Sequence, residues 1–285
     1  MCRFLVYKGR EIFMSDLLLK AEQSLIVQSY KAKERIEPLN GDGFGVGWYD
    51  HDIDPTPCVY TSIQPAWSNR NLFRLSEKIR STCFFAHVRA ATKGAYVSEF
   101  NCHPFQYEQF LWMHNGKITE FSKTKRKLRD SLDDNYYNFI QGTTDSEHAF
   151  ALFLNILGER IDDYSITDLG NAMTQTIRQI IEWQQEANIA TPSHLNFALS
   201  DGYNILVTRY VSHPDFAPPS LYYSAGERIE IKEGKYRMAP THKHPNTIII
   251  ASEPLTSEKD DWHVVERNHL MAITPELHIR QIPIE

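Results

Sequence analysis

MCRFLVYKG, residues 1–9, places a cysteine at position 2 and follows it with the apolar-rich run Arg3 to Tyr7. A short run of this kind predicts a buried strand. The second residue of the chain therefore opens a core strand, where a ragged tail would carry polar residues. Met1 is expected to be removed, because residue 2 is small. Cys2 would then hold a thiol and a free α-amine on one residue. An α-amine has an ordinary pKa near 8, so it can serve as a general base near neutral pH. A nucleophile activated by its own terminal amine needs that terminus fixed on a rigid element, and RFLVY supplies one. Taken alone, a cysteine at position 2 is more often an accident than a nucleophile. The rest of the chain has to supply its partners.

Outward from this strand, NGDGFGVGWYD (residues 40–50) opens with turn residues and runs into a second strand. Its glycines suit turns and close backbone approach. No strand–helix context surrounds them, so the segment does not read as a phosphate or dinucleotide loop. TCFFAHVRA (82–90) and QFLWMHNG (109–116) predict two more buried strands, each ending in polar residues. TTDSEHAFALFLNIL predicts a helix with Thr144, Asp145 or Ser146 as N-cap. A second amphipathic helix is predicted over 166–187. LNFALS-DG-YNILVTRYV reads as a hairpin turning at Asp201-Gly202. Further strands are expected at 221–224, 247–251, 269–274 and 277–284. Strands, then helices, then strands, without a βαβ rhythm, predict a layered α+β fold.

The chain has 285 residues and a formal net charge of −6, with acidic and basic residues intermixed. This balance argues against nucleic acid as a partner, because phosphate binding needs a basic face. The basic run 123–129 reads as a solvated helix face. No apolar stretch of about 18 residues exists, so no membrane span is expected. The N-terminus is too short in apolar residues for a signal peptide, which points to the cytoplasm. The four cysteines form no C-x-x-C pair and should be thiols. Cys83 sits in an apolar run and reads as core. Cys58 and Cys102 flank loops without an evident role.

A thiol that attacks a carbonyl needs donors for the developing oxyanion. HNG (114–116) ends a predicted strand, and the Asn115 side-chain amide can converge with the Gly116 backbone N–H. One such donor is worth roughly 3 kcal/mol to the transition state. Arg89 in HVRAATKG (87–94) offers a fork that fits a carboxylate. Asp145 can accept from an ammonium, although helix capping is its ordinary role. An arginine and an aspartate beside one thiol define an amino-acid head group. THKHP (241–245) has two histidines but no third ligand nearby, so it reads as a polar loop and no metal site is expected. His103 reads as a structural loop residue.

Seven segments in order, MCRFL, NGDGFGVGWY, AHVRAATKG, NCHPF, MHNGKI, TTDSEHAF and IIIASEPLT, resemble the class II glutamine amidotransferase family over nearly the whole chain. The resemblance implies the N-terminal nucleophile hydrolase fold, a four-layer αββα sandwich, as a single domain over 1–285 after loss of Met1. It implies Cys2 as nucleophile, an oxyanion hole from Asn115 and Gly116, and head-group contacts from Arg89, Thr92 and Asp145. Asp42 would be a structural residue under the site. No cofactor is implied. In synthase-linked members an aromatic residue follows the arginine and a histidine follows the threonine. Here those positions are Ala90 and Lys93, and LNGDGFG replaces the family's RGxDSAG. Both departures resemble the stand-alone branch, which includes the ergothioneine-pathway γ-glutamyl hydrolase and the glutathione-degrading component of the DUG system. The altered residues suit a γ-glutamyl group attached to something larger than ammonia.

The expected activity is hydrolysis of a γ-glutamyl amide, in glutamine or a conjugate such as glutathione, through a thioester on Cys2. The alternative is an amide-cleaving subunit that serves a separate peptidase or synthase and is weak alone. A third reading is a non-catalytic family member, which the intact set of Cys2, Arg89, Asn115 and Asp145 disfavours.

Overall fold

The computed structural model describes residues 2–34, 38–91, 96–232, 235–241 and 244–285. The chain begins with β1 (Arg3–Phe13), α1 (Leu25–Lys31), β2 (Phe44–Asp50), β3 (Asp54–Ser62), α2 (Arg70–Ser76) and β4 (Arg80–Val88). It continues with β5 (Phe105–Tyr107), β6 (Phe110–Lys117), α3 (Phe121–Asp130), α4 (Asp134–Phe139), α5 (Asp145–Leu157) and α6 (Ile166–Glu186). Strands follow: β7 (His194–Ser200), β8 (Ile205–Arg209), β9 (Tyr222–Gly226), β10 (Arg228–Lys232), β11 (Lys235–Ala239), β12 (Thr247–Ala251), β13 (His263–Val264), β14 (His269–Ile273) and β15 (Ile279–Pro283).

One sheet has the order β13-β9-β12-β1-β4-β2-β3, and a second has β15-β14-β8-β7-β6-β5. β10 and β11 form a separate ribbon. Side-chain alternation explains the layering. In β1, Phe4 and Val6 enter a core shared with Leu111, Met113 and Met271 of the second sheet. Leu5 and Tyr7 point the other way, against Leu17, Leu25 and Leu72 of a helical layer. In β6, Phe110 and Trp112 turn away from the first sheet and meet Phe150 and Phe153 of α5. Each such side chain contributes about 1.5–3 kcal/mol by its burial. The result is helices, sheet, sheet, helices: the four-layer αββα sandwich of an α+β fold.

β1 lies inside its sheet, with Leu5 opposite Ala251 on one side and Ala86 on the other. Cys2 stands one residue before this twice-paired strand. β1 runs well past the predicted Tyr7, to Phe13. The β7–β8 hairpin forms as expected, but its loop is longer than a two-residue turn. Ser200 pairs with Ile205, and the Asp201 carboxylate accepts N–H bonds from Tyr203 and Asn204 across the loop. The basic run falls on α3, and the expected helices appear as α5 and α6. Among the described residues no helix is long and apolar enough to cross a membrane.

Candidate active site

Cys2 is half-buried, and its Sγ accepts the Ala90 N–H at 3.4 Å. Its backbone carbonyl accepts from Arg3 Nη1 at 2.9 Å. Arg3 is held in turn by Glu253, with Nε 2.6 Å from Oε1 and both side chains 1 % exposed. The Glu253 carboxylate also accepts the N–H groups of Lys33 and Glu34. Next to it, Ser252 exchanges hydrogen bonds with the Phe4 backbone, donating its own N–H and accepting at Oγ. One buried ion pair and one serine therefore tie the start of β1 to the loop after β12. Ser252 and Glu253 lie in the IIIASEPLT segment, and the sequence alone gives neither of them, nor Arg3, a role. A charge at position 3 of a core strand has no local signal, because its partner lies 250 residues away.

Arg89 and Asp42 form a second unit. Arg89 is 4 % exposed and donates to the carbonyls of Asp42 and Tyr96. Among the described residues no carboxylate lies within ion-pair distance of it. The Asp42 carboxylate accepts the Ala91 N–H at 2.8 Å, the Asp42 N–H donates to the Arg89 carbonyl, and the Arg89 N–H donates to the Gly43 carbonyl. Asp42 thus holds the segment after Arg89 through its carboxylate. The turn feeding this unit needs Gly43, whose φ is +115° and whose Cβ would lie 2.7 Å from Cys102 Sγ. Thr92 and Lys93 lie outside the described residues.

The second sheet supplies the opposite wall. Asn115 is fully buried, and its Nδ2 donates to Ser252 Oγ at 3.3 Å. It shares the inner face of β6 with Leu111 and Met113 by strand parity, which turns it toward the sheet that carries Cys2. Its Oδ1 has no protein partner among the described residues. Gly116 cannot carry a side chain, since a Cβ there would fall 1.8 Å from the His194 carbonyl oxygen. Of the three N-cap choices for α5, Thr144 caps, accepting the Glu147 N–H. Asp145 is freed from that task. Its Oδ2 accepts the Ile118 N–H at 2.7 Å, which fixes it beside the end of β6.

Cys2, Arg89, Gly116 and Asp145 line one cavity of about 370 Å³. The structure therefore brings the thiol, the guanidinium and the carboxylate together from three separate segments. Beyond Gly116 the cavity continues along Lys117, Phe121 and Ser122. His242, one of the paired histidines of the THKHP loop, lies outside the described residues.

Three histidines underlie the site. His103 is buried in the cavity wall and stacks on His87 with ring centroids 4.1 Å apart. His114 Nε2–H donates to the His194 carbonyl at 3.0 Å, so its Nδ1 accepts from the Ser146 hydroxyl at 2.9 Å. Burial pushes the His87 pKa down to about 3 and lowers those of His103 and His114. The His87 and His103 rings are neutral in the fold, yet in the unfolded chain each titrates near 6.5. Below that pH the unfolded chain binds protons that the fold refuses. Stability is therefore lost as pH falls from about 6.5 toward about 3. Between about pH 7 and about pH 5.5 the His87 and His103 rings together should remove up to about 2.5 kcal/mol. Denaturant titrations at the two pH values check this, and equal midpoints contradict it.

The sequence profile described as "Glutamine amidotransferases class-II" matches residues 14–276. The probable glutamine amidotransferase DUG3 of Saccharomyces cerevisiae is 43% identical over 96% of this chain and 82% of its own length. A gamma-glutamyl-hercynylcysteine sulfoxide hydrolase of Mycobacterium tuberculosis is 35% identical over 41% of this chain and 50% of its own. A glutamine aminotransferase class-II domain protein from Silicibacter pomeroyi superposes with a TM-score of 0.69 at 25% identity, over 99% of both chains. The glutamine phosphoribosylpyrophosphate amidotransferase of B. subtilis shares the fold at a TM-score of 0.59 and 14% identity, over 99% of this chain and 49% of that one.

Proposed function

From a chain that belongs to the class II glutamine amidotransferases, we propose an amidohydrolase in which Cys2 cleaves γ-glutamyl amide bonds and releases glutamate. The observation that carries the reading is the single cavity shared by Cys2, Arg89, Gly116 and Asp145.

With Met1 removed, the Cys2 α-amine takes the thiol proton and the sulfur attacks the γ-carbonyl carbon. Arg89 and Thr92 hold the substrate α-carboxylate, and Asp145 holds its α-ammonium. The carbonyl oxygen becomes an oxyanion that Asn115 Nδ2 and the Gly116 N–H stabilise. The C–N bond breaks, and the leaving nitrogen takes the proton back from the Cys2 ammonium. This leaves a γ-glutamyl thioester. Water then attacks the same carbonyl and gives its proton to the α-amine. The C–S bond breaks, glutamate departs, and the sulfur recovers its proton.

Two features support a leaving group larger than ammonia. The small Ala90 and Ala91 line the cavity, and the space extends along Lys117 and Phe121. Its volume suits a ligand larger than one amino acid. A nucleophilic thiol of this kind works in a reducing compartment, and we place it in the cytoplasm.

A second reading makes the chain the amide-cleaving subunit of a complex with a peptidase or synthase. One surface feature favours it: Tyr96, Val97 and Phe100 stand exposed on the segment that touches Arg89. Exposed apolar clusters of this kind mark interaction surfaces.

A panel of γ-glutamyl compounds scored by glutamate release tests the main reading. The purified chain should release glutamate from γ-linked amides and leave α-linked glutamyl amides intact. Equal turnover of both linkages, or none of either, contradicts it. Substantial turnover by the chain alone weakens the subunit reading.

A further inference from the structure

Ser252 stands just past the last pair of the β1–β12 ladder, where Leu5 faces Ala251. Its backbone N–H still donates to the Phe4 carbonyl, at 3.0 Å. A hydrogen-bonded antiparallel pair ordinarily exchanges both N–H groups with both carbonyls. Here the return bond takes another route. The Phe4 N–H donates to Ser252 Oγ at 3.0 Å, and the Ser252 carbonyl accepts the Ser220 hydroxyl at 2.8 Å. The serine oxygen thus fills a place that a backbone carbonyl would otherwise hold. The same oxygen accepts from Asn115 Nδ2 on the opposite sheet, at 3.3 Å. Both side chains are fully buried. One atom therefore joins the strand that starts beside Cys2 to the carboxamide on β6.

That bond is the only one the Asn115 carboxamide makes among the described residues, since its Oδ1 has no partner there. The terminal torsion of an asparagine is broad and two-fold, so rotamer preference alone does not fix where the amide N–H groups point. The amide carries two hydrogens, and Ser252 takes one. Resting on the γ-glutamyl reading above, in which Asn115 is an oxyanion donor, we propose that Ser252 is a positioning residue for the oxyanion hole. Its Oγ sets the orientation of the Asn115 carboxamide and leaves the second N–H for the oxyanion. Because the same oxygen holds the Phe4 N–H, two residues after Cys2, it also fixes the donor relative to the nucleophile. Oxyanion stabilisation depends on donors that are in place before the charge develops.

The test is a double-mutant cycle read in kcat and KM with γ-glutamyl-p-nitroanilide. Asn115→Ala removes the donor and should lower kcat by about 10²–10³-fold. Ser252→Ala leaves the donor untethered and should lower kcat by roughly 10–100-fold. KM should stay within about twofold, because the head-group contacts are untouched. In the Asn115→Ala background the same Ser252→Ala change should lower kcat by less than about threefold. A serine that only holds β1 to β12 would act alike in both backgrounds, so equal factors overturn the proposal. Ser252→Ala at wild-type kcat overturns it too. If Ser252→Ala does not fold, Ser252→Cys takes its place, being close in size but a weak acceptor, and the same non-additivity decides. An active wild-type enzyme whose Asn115→Ala variant keeps full kcat also overturns the proposal. A wild-type enzyme that does not cleave the anilide instead sinks the γ-glutamyl reading, and the positioning role falls with it.

Discussion

Replacing Cys2 by alanine should lower γ-glutamyl hydrolysis by at least ~10⁴-fold, since removing a covalent nucleophile leaves only binding and oxyanion stabilisation. The fold should survive. Cys2 is half-buried, it precedes β1 rather than pairing within it, and among the described residues its sulfur hydrogen-bonds to the Ala90 backbone. A single-atom deletion at such a place should change stability by less than about 1 kcal/mol. Steady-state turnover and a denaturant titration on one sample separate the two effects. Activity within tenfold of wild type would remove the thioester from the mechanism.

Glu253→Ala should cost roughly 3–5 kcal/mol of stability, the largest structural effect expected of a single change near the site. The substitution leaves the Arg3 guanidinium buried without its counter-charge and orphans the N–H groups of Lys33 and Glu34. Turnover should fall beyond what unfolding explains, because Arg3 also holds the Cys2 carbonyl. A paired replacement, Arg3→Met with Glu253→Leu, removes both charges and should be far milder than Glu253→Ala. Urea midpoints of the three proteins decide it. A loss under about 1 kcal/mol in Glu253→Ala would mean that the pair does not anchor the N-terminal strand.

The strands that position the site were readable because their apolar runs are short and uninterrupted. RFLVY and TCFFAHV each fill two cores at once, and both lie inside a sheet. β3 went unread because DPTPCVYTS carries two prolines, which suggests a loop. As the last strand of its sheet it tolerates them, since an edge strand need not donate from every residue. The layering had no local signal. It depends on which face of β1 meets β6, and the family resemblance supplied it. At the site, residue types were legible and their convergence was not. No spacing rule brings Asp145 to Cys2. That step needs the helix cap to fall on Thr144, so that the Asp145 carboxylate is left to reach the Ile118 N–H. From the sequence, His103 reads as a structural loop residue. The stack on His87 fits that reading, but nothing in NCHPF foretold that both ring nitrogens would lack a partner.

In the proposed mechanism a terminal Cys2 carries the γ-glutamyl group. The most direct measurement is peptide-mapping mass spectrometry of active enzyme quenched with acid during turnover of a γ-glutamyl amide. The expected product is an N-terminal peptide that begins at Cys2 and carries one γ-glutamyl acyl group on sulfur. Fully active enzyme whose N-terminal peptide still begins at Met1, or an acyl group found on another residue, would contradict it.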